Sequence, residues 1–382
     1  YRGKCAGGRV RLIGIVASLI LILIAIPKVY LSSGVYAYVE ETSGITKRWS
    51  ATDHYVSRGF VYPFLKSMND DTLKKPAGYH QEQAEQDYFS YKYDDIPEDR
   101  KVNVISIMLE AYNDFSKFDG VSFATDSYAY WHQLAEESYS GELVTNIFAG
   151  GTVDTERSFL TGYTTLQNFR ADINSYVHYF NEQGYTTEGN HPSYNWFYNR
   201  LNINQYLGFS DYHFYEDRYE AMVGEQMAPD EVFLPDIVDS YEANKVTGKP
   251  YFNFSVTYQN HGPYPDVPET DTTYLNWQEG YNESDYHIWN NYFAGIASTN
   301  AELEKMITTL AADEEPVVVI LFGDHNPWGG DNNSAYNMLG IDFDLSTEEG
   351  FYQYYNTPYL IWANDAAKKT LDQDFIGKGG SI

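Results

Sequence analysis

Residues 102–109 read VNVISIML and run straight into Glu110. An unbroken apolar, β-branched run of this length is the pattern of a strand covered on both faces. Residues 251–257 (YFNFSVT) and 316–322 (PVVVILF) repeat it. Between those two runs, Ile288, Tyr292, Ile296, Leu303, Ile307 and Leu310 fall near one face of a helix predicted over 286–312. Strands alternating with helices predict an α/β fold with a mostly parallel central sheet flanked by helices. Ligands of such sheets bind beyond the carboxyl ends of the strands. The residues at those ends are Glu110, then Gln259-Asn260-His261, then Gly323-Asp324-His325.

These ends carry chemistry. A carboxylate and an imidazole placed together after a buried strand suit Mg²⁺, Mn²⁺ or Zn²⁺. The alternative is that Asp324 caps a turn while His325 packs. Glu110 at a second strand end favours a shared cation site over two unrelated caps. A third element is FAGGTVDTERSFLTGY at 148–163, where Gly150-Gly151 predict a tight turn and 153–162 a helix. Thr152 then stands at a helix N-terminus, where backbone N–H groups and the dipole favour an anion. A plain N-cap role for Thr152 is the competing assignment.

Toward the N-terminus, 12–31 read LIGIVASLILILIAIPKVYL, long enough to cross a bilayer, with Lys28 able to snorkel. Arg2, Lys4, Arg9 and Arg11 precede it without an acidic residue, which places the N-terminus in the cytoplasm and the rest outside. A cleaved signal peptide, ending near Val35-Tyr36-Ala37, is the alternative, and it exports the chain equally. The expected organisation is a basic stub and transmembrane helix over 1–31, an extracellular linker wrapping the domain over 32–100, and a catalytic domain over 101–382. The linker is expected to be polar and irregular, with helix-like pieces near 50–68 and a break at Pro76. The start at Tyr1 and the end in GGSI at 379–382 suggest a fragment.

The 382 residues are 43% hydrophobic, which fits a folded protein, and carry a formal charge of −29. That charge argues against nucleic acid as a partner, since phosphate backbones are gripped by Lys and Arg. Cys5 is the only cysteine, so no disulfide framework or thiolate metal site can form within the chain.

Taken in order, IMLEAYNDF around Glu110, the Gly-Gly-Thr152 turn, NHPSYNWFYNR from His191 to Arg200, Asn260-His261-Gly262-Pro263-Tyr264 and Gly323-Asp324-His325 resemble the lipoteichoic acid synthase group of the alkaline phosphatase and sulfatase superfamily. The likeness spans roughly 100–365 and includes TPYLIWAN at 357–364. It implies that Glu110, Thr152, Asp324 and His325 bind one divalent metal, Mn²⁺ or Mg²⁺, with Thr152 also the nucleophile. It implies that His191, Arg200 and His261 hold the phosphate and glycerol of the substrate. An unaided threonine hydroxyl is too weak an acid to attack, so metal activation fits the chemistry.

Ala111, Gly151 and Tyr198 depart from residues common in that group, namely Ser, Lys and Trp. The expected partners are an anionic phospholipid donor, phosphatidylglycerol, and a cell-envelope polymer acceptor at the membrane. Phosphoethanolamine transfer, another phosphodiester hydrolysis, or non-catalytic sensing of glycerophosphate are the alternatives. A formylglycine sulfatase is disfavoured, because Thr152 is followed by Val-Asp-Thr and Cys5 lies in the basic stub.

Overall fold

The computed structural model describes residues 7–25, 77–90, 94–164 and 169–380, with scattered positions between 28 and 65. The chain divides into two compact units, one of 1–91 with 167–169, the other of 92–166 with 170–382.

In the first unit Gly8–Ala25 is an 18-residue helix of mean hydropathy 2.2, long and apolar enough to cross a membrane. It begins four residues before the expected span and takes in Arg9 and Arg11. The helical pieces expected near 50–68 lie mostly outside the described residues. Within the stretch expected to be irregular, Gln81–Ser90 is helical. Its side chains bond at i,i+4 spacing, Gln81 to Glu85 at 2.9 Å and Gln83 to Asp87 at 2.8 Å, which helps a polar segment hold helical form.

The second unit is built on an eight-stranded sheet in the order β4-β3-β5-β1-β6-β7-β2-β8. The strands are β1 Asn103–Leu109, β2 Tyr139–Val144, β3 Thr186–Asn190, β4 Asp211–His213, β5 Tyr251–Val256, β6 Val317–Gly323, β7 Asn356–Ala363 and β8 Gly377–Lys378. Only β7 runs against its neighbours. β1 lies between β5 and β6, parallel to both, so the carboxyl ends of all three reach the same edge.

Both faces of the sheet are covered, which is why its central strands read as continuous apolar runs. Ile105, Ile107, Leu109, Val317, Val319 and Leu321 pack on one side with the helices Asp230–Lys245 and Glu283–Ala311. The latter is the predicted long helix, started by Asn282, whose side chain accepts from the Asp285 N–H at 2.9 Å. On the other side Phe159 of the helix Thr152–Thr161 stacks on Phe322 and Phe254 at 4.6 and 5.6 Å. Phe180 of the helix Tyr176–Glu182 stacks on Phe252 at 4.3 Å. The nucleophile candidate therefore rides on a helix clamped to the sheet by aromatic contact.

Candidate metal and phosphoryl-transfer site

β1 delivers Glu110 and β6 delivers Asp324 and His325 to one point. All three are buried, with one ligand atom of each lying within 4.8 Å of the others. The backbone is shaped to bring them there. Ala111 takes a left-handed turn (φ 50°) and its N–H donates to Asp324 Oδ1 at 2.8 Å. The Glu110 N–H donates to the Thr257 hydroxyl at 2.8 Å, tying the ends of β1 and β5. Gly323 has no room for a side chain, since a Cβ there would stand 1.9 Å from the Tyr112 carbonyl oxygen.

The electrostatics call for a cation. Burial, and then the neighbouring charge of Asp324, push the Glu110 carboxyl well above its ordinary range, against the easing effects of Arg200 and Thr152. His325 Nδ1 lies 2.8 Å from the Asn326 carbonyl oxygen, which assigns the proton to Nδ1 and leaves a lone pair on Nε2. That Nε2 and Asp324 Oδ2 are 3.2 Å apart, and neither has a hydrogen-bond partner. Two buried acceptors facing each other are costly unless something positive joins them. Carboxylate oxygens, an imidazole nitrogen and a hydroxyl are a donor set that fits Mn²⁺ or Mg²⁺.

Thr152 completes the set. Its hydroxyl is 3.4 Å from Glu110 Oε2, and the residue is buried. The helix begins at Thr152, one residue earlier than expected, and Gly151 is its N-cap (φ 90°). The capping alternative therefore fails, and the Thr152 side chain is turned to Glu110 instead. Gly150 (φ 138°) and Gly151 make the tight turn that only glycine accommodates easily. Three residues on, the Thr155 hydroxyl donates to the Asp324 carbonyl at 2.8 Å and fixes this helix against β6.

The remaining predicted residues flank this centre. His191, buried, has Nδ1 3.0 Å from the Val256 carbonyl oxygen; burial first, then the Arg200 charge, hold it well below the usual histidine range. Arg200 is buried too, and its Nε and Nη2 both donate to Glu156 Oε2. Two of the guanidinium's N–H groups are thus taken up by a protein carboxylate. His261 is exposed, stacked on Tyr258 with ring centres 4.8 Å apart and planes 9° apart. Glu156, Thr155 and Thr257 were not anticipated. Glu156 looks like any polar residue in a helix, and nothing near it in sequence signals a partner 44 positions away.

Two buried carboxylates and an imidazole at the carboxyl edge of a mostly parallel sheet, faced by a helix N-terminus, define the class: an α/β protein with a candidate cation and oxyanion site. The sulfatase family model matches residues 102–378, and the chain belongs to the sulfatase family, within the alkaline phosphatase superfamily. It is 24% identical over 336 residues to the lipoteichoic acid synthase of Staphylococcus saprophyticus, covering 81% of this chain and 48% of that one. It is also 24% identical over 336 residues to a Rhizobium meliloti protein named for cyclic beta-1,2-glucan modification, covering 84% of this chain and 51% of that one. The chain spans about half the length of these two relatives.

Its fold is that of the phosphoglycerol transferase GacH of Streptococcus pyogenes, solved with sn-glycerol-1-phosphate (TM-score 0.58, 19% identity, 77% of this chain and 78% of that one). It is likewise that of the lipoteichoic acid synthase LtaP of Listeria monocytogenes (TM-score 0.55, 18% identity, 78% and 79% covered).

Proposed function

We propose that the protein is a membrane-anchored, metal-dependent phosphoglycerol transferase whose domain works outside the cell. The observation that carries this is the Thr152 hydroxyl at a helix N-terminus, 3.4 Å from Glu110 and beside the unpartnered Asp324 Oδ2 and His325 Nε2. The names of two relatives of known fold, a phosphoglycerol transferase and a lipoteichoic acid synthase, support glycerophosphate as the transferred group. The apolar helix Gly8–Ala25, with Arg9 and Arg11 at its start, supports an anchor oriented domain-outward.

A divalent cation held by Glu110, Thr152, Asp324 and His325 would supply the Lewis acidity that makes the Thr152 hydroxyl ionisable near neutral pH. Thr152 Oγ gives up its proton to solvent and attacks the phosphorus of phosphatidylglycerol, and the bond from phosphorus to the diacylglycerol oxygen breaks. That oxygen takes a proton delivered through His261, which is open to solvent. Glycerophosphate is left on Thr152. An acceptor hydroxyl then attacks the same phosphorus, its proton passes to Thr152 as that oxygen leaves, and the enzyme is restored. Arg200 holds the phosphoryl oxygens through both steps, the neutral His191 offers Nε2 as acceptor to a glycerol hydroxyl, and the helix N-terminus offers N–H groups to the phosphoryl charge.

Purified protein with Mn²⁺ should release diacylglycerol from phosphatidylglycerol vesicles, and Thr152→Ala should abolish release and the glycerophosphoryl adduct seen by mass spectrometry. Wild-type turnover in Thr152→Ala overturns the mechanism. Faster headgroup release from phosphatidylethanolamine than from phosphatidylglycerol overturns the assigned donor.

A further inference from the structure

The loop from β3 to Arg200 carries more than the residues that face the phosphate. Its segment Ser193–Asn199 reads SYNWFYN. Trp196 is 64% exposed, although a large apolar ring in a well-ordered turn is ordinarily covered. The ring is fixed. It stacks on Tyr194 with centres 5.5 Å apart and planes 21° apart, and meets Phe197 edge-on at 5.7 Å.

The backbone beneath is braced by Asn199 N–H to the Trp196 carbonyl and Leu201 N–H to the Asn195 carbonyl, both at 3.0 Å. Tyr198 and Asn199 are both left-handed (φ 56° and 57°), a costly conformation for a bulky residue. It is held by Arg157, whose Nη2 donates to the Tyr198 carbonyl at 2.9 Å. Strain at Tyr198 is thus retained in a turn that presents Trp196 to solvent.

This aromatic surface is continuous with the site. Arg157, which holds the Tyr198 carbonyl, sits on the helix Thr152–Thr161, and the Arg200 guanidinium lies 5.5 Å from the centre of the Tyr198 ring. The neighbouring polar groups are neutral amides: Asn195, and Asn199 with Asn202 exposed beside it, joined by a 2.6 Å bond. One carboxylate, the exposed Glu216, accepts from the Asn195 N–H at 3.0 Å. A flat exposed ring with amides in the same turn matches the apolar C–H face and hydroxyl edge of a pyranose. Glu216, in a chain of charge −29, disfavours an anionic lipid surface at the same spot.

We infer that Trp196, backed by Tyr194, is a binding platform for a neutral sugar ring, and that it holds a glycan acceptor on the turn that Arg157 ties to the Thr152 helix. The acceptor role rests on the phosphotransfer reading above; the binding itself does not.

The probe is a neutral β-glucan hexasaccharide titrated calorimetrically into the full chain. Millimolar binding is expected in the wild type and in Thr152→Ala, weakened about tenfold or more in Trp196→Ala and less in Trp196→Phe. Equal melting temperatures show that the variants are folded. Unchanged binding by Trp196→Ala, or no binding by the wild type, overturns the proposal. So does a loss in Trp196→Ala of co-sedimentation with phosphatidylglycerol vesicles without loss of sugar binding, which assigns the ring to the membrane. Trp196-dependent sugar binding in a protein that releases no diacylglycerol leaves the platform standing and removes the transferase reading.

Discussion

Arg200 sends two N–H groups, Nε at 3.0 Å and Nη2 at 2.9 Å, to the same oxygen of Glu156, and both side chains are buried. The guanidinium proposed to hold the phosphate is therefore aimed by a carboxylate on the helix that carries Thr152.

Removing Glu156 leaves a buried cation without its counter-charge. Glu156→Ala is expected to lose about 3–5 kcal/mol of stability in urea unfolding. Glu156→Gln, which keeps the shape, is expected to raise KM for phosphatidylglycerol more than it lowers kcat. A KM unchanged in Glu156→Gln would show that Arg200 is held by other contacts. Arg200→Lys is not expected to substitute, because an ammonium cannot fork between carboxylate and phosphate.

Asp324 divides its two oxygens between tasks, Oδ1 on the Ala111 N–H and Oδ2 toward His325. Asp324→Asn keeps the first and spoils the second. Mn²⁺ affinity by calorimetry is expected to fall about tenfold or more, with a far smaller change in the metal-free melting temperature. Wild-type protein saturated at a hundred times its Kd should lose about 2.7 kcal/mol on chelation. Equal Mn²⁺ affinity in Asp324→Asn would remove Asp324 from the ligand set.

Asp230 bears on pH. It is fully buried, and burial pushes its carboxyl from 3.8 up to about 6, against the bond from the Thr299 hydroxyl and with the aid of the Glu302 charge. The folded protein keeps this proton after the unfolded chain has released it. Its contribution to stability is thus present below about pH 4 and lost as pH rises to about 6, roughly 3 kcal/mol in all. In urea unfolding at a series of pH values, Asp230→Asn should be flatter over that interval than the wild type. Parallel curves would show that Asp230 ionises normally.

The parts of this fold that were legible in the sequence are those with a one-dimensional signature. β1, β5 and β6 announce themselves because burial on both faces leaves no polar alternation, and Glu110, Asp324 and His325 follow as whatever comes next. The helix Glu283–Ala311 shows its apolar stripe for the same reason. β3 and β4, with Thr, Glu, Asp and His, carry no such signature and emerge only from pairing, β3 beside β5 and β4 beside β3. The start of the helix at Thr152 was missed by one residue, because the left-handed Gly151 caps with its backbone and leaves no side-chain signal. Glu156 and Thr155 were illegible: their partners, Arg200 and the Asp324 carbonyl, are brought near only by the completed fold.

The bond from the Ala111 N–H to Asp324 Oδ1 closes a loop of 213 positions. Neither end of the chain can prepare a cation pocket before the other arrives, and contacts of such sequence separation form late in folding. Under the proposed export from the N-terminal side, Glu110 emerges long before Asp324 and His325. The proposed ion could then enter only after β6 has slotted in beside β1, so the surroundings of the mature protein, and not the cytoplasm that makes it, would choose the metal.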